Sequence, residues 1–410
     1  MTILLHDGKR ATANGRPCFV FVACGAAEHV RELHLSLAAL RRHSRAEILV
    51  VTEPGRNEIP VEWPAVITAA APAGFSHHQA SIDFKTRLHR LLPPGRRYCY
   101  LDTDVFAVGP DVDSIFAAAP TPVAFAPDLV RLHEFSPYAL RCGCMERNAA
   151  ERAELEVLLA AAYRDPEVAL ETPEPGWTPA EFERNAARSL VRLRLRVEHL
   201  LTPASASQRG DPPEEIWRAF WHERHEHRLR HAERAIRHVE RSTGWRRDRR
   251  RQSWISPAGN DVYHLQCDHL VAAIRATFGV DVKRPRWQQW NGGVFLFDER
   301  GHAFLDAWHA KTMRIFGLPG WRTRDQGTLV ATAWEFGLEC QPVLPDRFNC
   351  ILDANKGDTM LAEARDAVTT DAFLTRVQPE FAHVMYRTGD PTWDLWRWVA
   401  ERAWPQETAR

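Results

Sequence analysis

The sequence predicts an α/β fold: a mostly parallel sheet interrupted by an inserted, mainly helical subdomain. Three observations carry this reading. CFVFVACG (18–25) and EILVVT (47–52) are short, apolar, β-branched runs suited to strands buried on both faces. Apolar residues at helical spacing lie between such runs. The strand pattern then breaks over a long middle segment and resumes near the NGG run at 291–293.

Taken in order, the first helix is marked by Val30, Leu33, Leu37 and Leu40 at three- and four-residue spacing. A weaker strand, AVIT (65–68), follows, and Phe84, Leu88, Leu91 and Leu92 mark a second helix, stopped by Pro93-Pro94-Gly95. YCYLDTDV (98–105) then reads as a buried strand ending on two acids. This β-α-β-β-α-β order is that of a Rossmann-type sheet, whose ligands bind beyond the carboxyl ends of the strands. The pattern places one domain over 1–140 and 286–410, with the insertion at 141–285.

At 410 residues, 45% hydrophobic and 26% charged, the chain is long enough for a sizeable core. Its formal net charge of zero provides no general field for nucleic acid or acidic membranes. The N-terminus lacks a basic start with a sustained apolar core, and no stretch approaches the roughly 18 apolar residues of a membrane span. These features predict a soluble, cytoplasmic protein. The scattered cysteines, several within apolar runs (Cys18, Cys24, Cys99), predict reduced core thiols.

Asp102 and Asp104 stand at the carboxyl end of a strand, where unpaired carboxylates are costly. Strand alternation would point both the same way and Thr103 back. Two carboxylates on one side form a hard oxygen site for Mg²⁺ or Mn²⁺, which complete their shells with water and substrate phosphate. Asp-x-Asp alone is weak, since roughly one is expected by chance in a chain of this length. Asp111-Val-Asp113 repeats the pattern, but after Gly109-Pro110 and before SIFAAA it reads as a helix cap.

FKTRLHRLLPPGRRYCYLDTDV (84–105), WNGGVFLFD (290–298), RDQGTLV (324–330), VLPDRFNCI (343–351) and HVMYRTGDPTW (383–393) together resemble the motifs of GT-A-fold nucleotide-sugar glycosyltransferases, in particular glycosyltransferase family 8. The resemblance implies a GT-A-like sheet and transfer of a hexose-type sugar from a nucleoside-diphosphate donor, UDP-linked, to an acceptor. It assigns metal binding to Asp102, Asp104 and His383. Donor contacts fall to Lys85 and Arg87, to Thr103 between the acids, and to Ala23, Cys24 and Gly25 at the end of the first strand. Asn291 and Gly292 resemble the turn lining the donor sugar, and Asp325-Gln326 the acidic–amide pair beside it, where a helix N-cap is the plain alternative for Asp325. The family's late lysine is missing, and Arg387 is the candidate substitute. The transition state should be oxocarbenium-like, stabilised by an adjacent carboxylate or amide oxygen. Resemblance implies retention of configuration, although an inverting reaction with a carboxylate base on the acceptor is open at this level.

Two other functions compete. Haloacid-dehalogenase-type phosphatases carry hhhhDxDx[TV] and a later GDxxxD, and YCYLDTDV and Gly389–Asp394 partly satisfy both, with Asp102 as nucleophile. That family places its first motif on an early strand, whereas here a β-α-β unit precedes it and Phe stands at 106. The second competitor is a nucleic-acid or protein-binding module built on the insertion. Residues 180–251 hold 18 arginines against 11 acids, ending in Arg246-Arg247-Asp248-Arg249-Arg250-Arg251. This is either a platform for an acceptor or partner, or a solvated helix face, and no nucleic-acid motif accompanies the charge. Residues 214–241 read as helix, VRLRLRV (191–197) alternates like a strand, and TPEPGWTP and TPASASQRGDPP read as linkers. His264-x2-Cys267-x-His269 and Cys142-x-Cys144 carry zinc-type ligands but lack the paired spacing of a structural site, and read as ordinary buried or surface residues.

Overall fold

The computed structural model describes residues 16–165, 168, 223–249, 251, 253–353, 360–361, 367–370 and 375–404. The run at 191–197, both linkers and Arg250 lie outside these. The chain forms two compact units, residues 1–141 with 268–410, and Cys142–Cys267.

The first unit is mixed α/β. Strand β1 (Cys18–Ala23) is buried along its whole length, as its unbroken apolar run requires of a central strand. Helix α1 (Ala27–His43) buries Val30, Leu33, Leu37 and Leu40 and returns the chain to β2 (Glu47–Thr52), parallel to β1. Strand β3 (Val66–Thr68) adds outside β2. The second predicted helix is two: α2 (His77–Thr86) and α3 (Leu88–Leu91), separated at Arg87. A capping box fixes the start of α2, Ser76 Oγ accepting from Gln79 N (3.2 Å) while Gln79 Oε1 accepts from Ser76 N (2.9 Å).

Strand β4 (Tyr98–Leu101) pairs parallel with β1. Strand β5 (Val105–Ala107) leaves the main sheet, and β6 (Val123–Arg131) rejoins it on the far side of β7 (Gln288–Phe297). The sheet order is β3-β2-β1-β4-β7-β6, in which β7 alone runs antiparallel to its neighbours. The carboxyl ends of β1 to β4 and β6 therefore share one edge with the amino end of β7. A smaller sheet pairs β8 (Cys350–Ile351) with β9 (Phe381–His383), and β9 antiparallel with β5.

One expectation fails here. Asp102 to Asp104 do not continue the strand: β4 stops at Leu101, and Val105 N donates to the Asp102 carbonyl (3.2 Å) across a tight turn. The chain must change sheets between β4 and β5, so it bends where strand alternation would have kept it straight. The carboxylates are neighbours because of the turn.

Between Phe125 and Ala126 the β6–β7 register jumps, from Phe125 opposite Phe295 to Ala126 opposite Asn291. The extra residues on β7 include Gly292 and Gly293, a bulge of the kind that re-aims side chains at sheet ends. Aromatic packing anchors it, Phe125 stacking on Trp290 (centroids 5.1 Å, 8°) and on Phe295 (4.9 Å, 20°).

Helix α4 (His269–Phe278) belongs to this first unit, with Leu270 and Ile274 buried and Leu270 N donating to Ser136 Oγ. Residues 268–285, which the sequence pattern assigned to the insertion, thus cluster with the sheet. Helices α5 (His302–Ile315) and α6 (Gln326–Glu335) pack together, with Thr312 and Thr328 hydroxyls bonded at 2.7 Å.

On α5, burial and the nearby Arg90 and Arg87 cations push His309 down from 6.5 to about 4. A histidine depressed on folding binds its proton more readily in the unfolded chain, so stability present above the unfolded pKa is lost as pH falls toward the folded one. Urea midpoints of the wild type are expected to drop between about pH 6.5 and 4, and His309→Gln to remove part of that drop. An unchanged acid limb in the variant would show that His309 has no share in it.

The second unit packs helix Cys144–Arg164 against helix Glu223–Thr243 and a hairpin of Arg246–Asp248 with Ser253–Ile255. Its core includes Leu155, Leu159, Ala235, Val239, Trp245 and Trp254. Part of the arginine run is occupied inside the unit. Arg249 and Arg237 both pair with Glu233, and the Arg247 guanidinium lies over the Trp254 ring (5.8 Å). No described helix is long and apolar enough to cross a membrane. None of the eight cysteines is in a disulfide, and burial raises Cys18 to about 12 and Cys24 to about 11.

Candidate active site

The turn after β4 and the end of β9 meet at the ligand-binding edge of the sheet. Because His383 pairs with Val105 across β9–β5, its ring is delivered beside the acids, and Val384 N donates to the Asp104 carbonyl (2.9 Å). One ligand atom each of Asp102, Asp104 and His383 lies within 4.8 Å of the others, with His383 Nε2 at 3.3 Å from Asp104 Oδ1.

The buried His383 ring is held from behind by Asn349, whose Oδ1 lies 2.9 Å from Nδ1. An Nδ1–H donated to that oxygen leaves the Nε2 lone pair facing a carboxylate oxygen. The contact between that nitrogen and the Asp104 oxygen is closed by a cation, either a proton on Nε2 or a metal ion taking its place. Asp104 Oδ1 is buried, and the only side-chain contact it makes among the described residues is with His383 Nε2. The donor set, two carboxylates and an imidazole fixed by an amide, suits a divalent cation.

Gly293 completes the cradle. A Cβ there would lie 2.8 Å from Asn291 Oδ1, 2.8 Å from His383 Cε1 and 2.9 Å from Asp102 Oδ2. No other residue type fits without displacing Asn291, His383 or Asp102, and the Gly293 carbonyl accepts from Asp102 N (2.8 Å). At Gly292 a Cβ would stand 3.3 Å from Asp325 Oδ2 and 3.4 Å from Lys85 Nζ.

Lys85, buried on α2, bridges two carboxylates, with Nζ 3.3 Å from Asp102 Oδ1 and 3.1 Å from Asp325 Oδ2. Asp325 occupies the N-cap position of α6, yet its side chain makes no capping bond and is directed at the lysine instead. Tyr100 donates its hydroxyl to Asp102 Oδ1 (2.5 Å). Burial opposes the charge on Lys85, but Asp102 and Asp325 outweigh it and keep the ammonium protonated well above its ordinary range. Enclosure raises the Asp102 carboxyl, Lys85 opposing and Asp104 adding to the rise. At Asp104 the same enclosure is outweighed by His383, which holds the carboxyl below the usual range.

A further carboxylate escaped the sequence reading. Asp128, near the carboxyl end of β6, accepts from Asn291 Nδ2 (3.0 Å) and Gln326 Nε2 (2.5 Å) through one oxygen. Burial raises its carboxyl, while bonds from Val130 N, Asn291 and Gln326 work against the rise. Asn291 also accepts from Gly293 N (2.7 Å), so Asp128 orients both the bulge and the first residue of α6. Its signal was available, since VAFAPD ends an apolar strand on an acid just as YCYLD does. Asn349 carried no signal beyond lying in the quoted VLPDRFNCI run.

The remaining assigned residues lie elsewhere. Ala23, Cys24 and Gly25 end β1 at the same sheet edge, where the Cys24 carbonyl accepts from Ser81 Oγ and Gly25 (φ 121°) meets His77 closely. Arg87 bonds Asp83 and the Ala70 carbonyl rather than the acids, and Arg387 bonds Asp390 and covers Trp393. The Thr103 carbonyl turns back to Ser36 on α1. Asp111 makes no side-chain cap, and Asp113 accepts from Ser44 and Arg45 N.

No family model and no curated protein matches this chain. Among solved structures it is similar to the apo form of the WbbM bifunctional glycosyltransferase, at 10% identity and a TM-score of 0.41, over 97% of this chain and 51% of that one. It is also similar to the apo form of the glycosyltransferase GlyE of Streptococcus pneumoniae TIGR4, at 17% identity and a TM-score of 0.20, over 28% of this chain and 30% of that one. The chain thus spans about half the length of the first and under a third of the second. Likeness this distant carries no argument about chemistry, which rests on the residues themselves.

Proposed function

We propose that this chain is a metal-dependent glycosyltransferase, moving a hexose-type sugar with retention from a nucleoside-diphosphate donor, a UDP-sugar, to an acceptor. The observation that carries the reading is the convergence of ligand atoms of Asp102, Asp104 and His383 within 4.8 Å of one another, in a cradle where glycine at 293 leaves room that a Cβ would fill. Mn²⁺ or Mg²⁺ held by these three residues would supply charge neutralisation to the departing diphosphate.

The other residues act around that centre. Lys85 fixes Asp102 and Asp325 relative to each other and places a permanent positive charge at the donor side. Asp325, at the start of α6, is positioned to stabilise positive charge developing on the sugar ring. Gln326 gives its amide nitrogen to Asp128, which fixes the side chain at the start of α6 beside Asp325. The end of β1 offers backbone groups to the base and ribose. The acceptor is met by groups outside this cluster.

Against the phosphatase reading stand the local contacts of its second motif. Asp390 bonds Arg387 and Thr392, and Asp394 pairs with Arg397, neither reaching Asp102. Incubation with UDP-sugars and, separately, an aryl phosphate distinguishes the two. Release of nucleoside diphosphate is expected, and phosphate bound covalently to Asp102 with no such release would overturn the reading.

A narrower expectation concerns the support of His383. Asn349→Ala should weaken Mn²⁺-dependent nucleotide binding by about 10- to 100-fold, the usual scale for groups that orient a metal-binding histidine. His383→Ala should weaken it further. Unchanged apparent metal affinity in His383→Ala would remove that residue from the site.

A further inference from the structure

We infer that Cys142, Cys144 and Cys267 bind a second, thiophilic metal ion, zinc, that fastens the two ends of the unit Cys142–Cys267 together. The inference is independent of the sugar-transfer reading.

The sulfurs of Cys142 and Cys267 come from positions 125 residues apart and lie 3.9 Å from one another. Cys144 joins them, its ligand atom within 4.8 Å of both. A disulfide would need about 2.05 Å between sulfurs. Tetrahedral thiolates at about 2.3 Å from one Zn²⁺ stand about 3.8 Å apart. The observed separation matches that of two sulfurs sharing an ion.

Local structure brings the sulfurs to one point. Gly143 between the first two cysteines adopts φ 71°, a left-handed turn that lets Cys142 and Cys144 face a common point. Cys144 is the first residue of a 21-residue helix, where the macrodipole favours negative charge, and Arg147 donates to its sulfur (3.3 Å). In the sequence Cys142 and Cys144 open the unit as a Cys-x-Cys pair and Cys267 closes it, so three thiolates of one unit supply the site. His264, a histidine of the same unit, is engaged by Asp261 instead. Sulfur donors select zinc and exclude the Mg²⁺ or Mn²⁺ suited to Asp102 and Asp104. An ion at this point closes a long loop, so it restricts the unfolded chain more than a short-range link would.

The test is metal analysis of the full chain as purified under reducing conditions. About one zinc per chain is expected, retained through dialysis and through Asp102→Ala. Cys142→Ser, Cys144→Ser and Cys267→Ser should each lower zinc to a small fraction. On the wild type, whatever the variants' folding, thiol titration should show three fewer reactive cysteines before zinc removal by a chelator than after it. Absence of zinc with these thiols freely reactive would overturn the inference. A Cys142–Cys267 disulfide found by mass spectrometry in metal-free protein would overturn it equally.

Discussion

Replacing Asp102 or Asp104 with alanine is expected to lower donor hydrolysis and sugar transfer by about three orders of magnitude or more, the scale of losing several kcal/mol of charge stabilisation at the leaving group. The fold should survive. Both carboxylates stand in a turn at the sheet edge, partly open to solvent, and their removal relieves the repulsion each exerts on the other. Denaturant midpoints within a small shift of wild type, together with lost activity, would separate a chemical role from a structural one. If Asp104→Ala keeps full turnover, the Asp104–His383 contact is structural and the metal assignment fails.

Gly293→Ala is the second large effect. The added methyl carbon would stand under 3 Å from Asn291 Oδ1, His383 Cε1 and Asp102 Oδ2, three groups held in place by Asp128, Asn349 and Tyr100 respectively. None can retreat without breaking its own hydrogen bond, so the strain should open the acid–imidazole cluster. Overpacking of this kind costs about 1–3 kcal/mol in stability. The loss in Mn²⁺-dependent nucleotide binding should be larger than that cost, because misplacing ligands by a fraction of an ångström defeats a small, geometrically demanding cation. Gly292→Ala is the internal control, its nearest neighbours at 3.3 and 3.4 Å including the flexible end of Lys85. Equal behaviour of the two variants would mean that the cradle has no special role.

The sequence made the sheet legible where burial is two-sided. Strands β1 and β2 are continuous apolar runs because both faces are covered, and α1 shows its stripe because only one face is. The acid pair was legible as well, since charge at the end of a buried strand demands a reason. Strand alternation was the wrong route to its geometry, because nothing in YCYLDTDV announces a change of sheet at Leu101. Asp128 was overlooked behind Pro127, and Asn349 is one amide among many until β9 brings His383 to it. Cys142 and Cys267 meet only through the folding of the chain between them, which no local pattern encodes. Arg87 and Arg387 illustrate the reverse case: a motif position supplies the residue type, while Asp83 and Asp390 nearby decide where the side chain goes.

The central claim is that Asp102, Asp104 and His383 hold a divalent cation that receives a nucleoside diphosphate, and calorimetric titration of UDP addresses it most directly. Wild-type protein should bind UDP in the presence of Mn²⁺, lose most of that affinity after chelation, regain it on adding Mn²⁺ back, and show no Mn²⁺ dependence once Asp102 is alanine. UDP binding of equal strength in protein shown by elemental analysis to be free of metal would contradict the account.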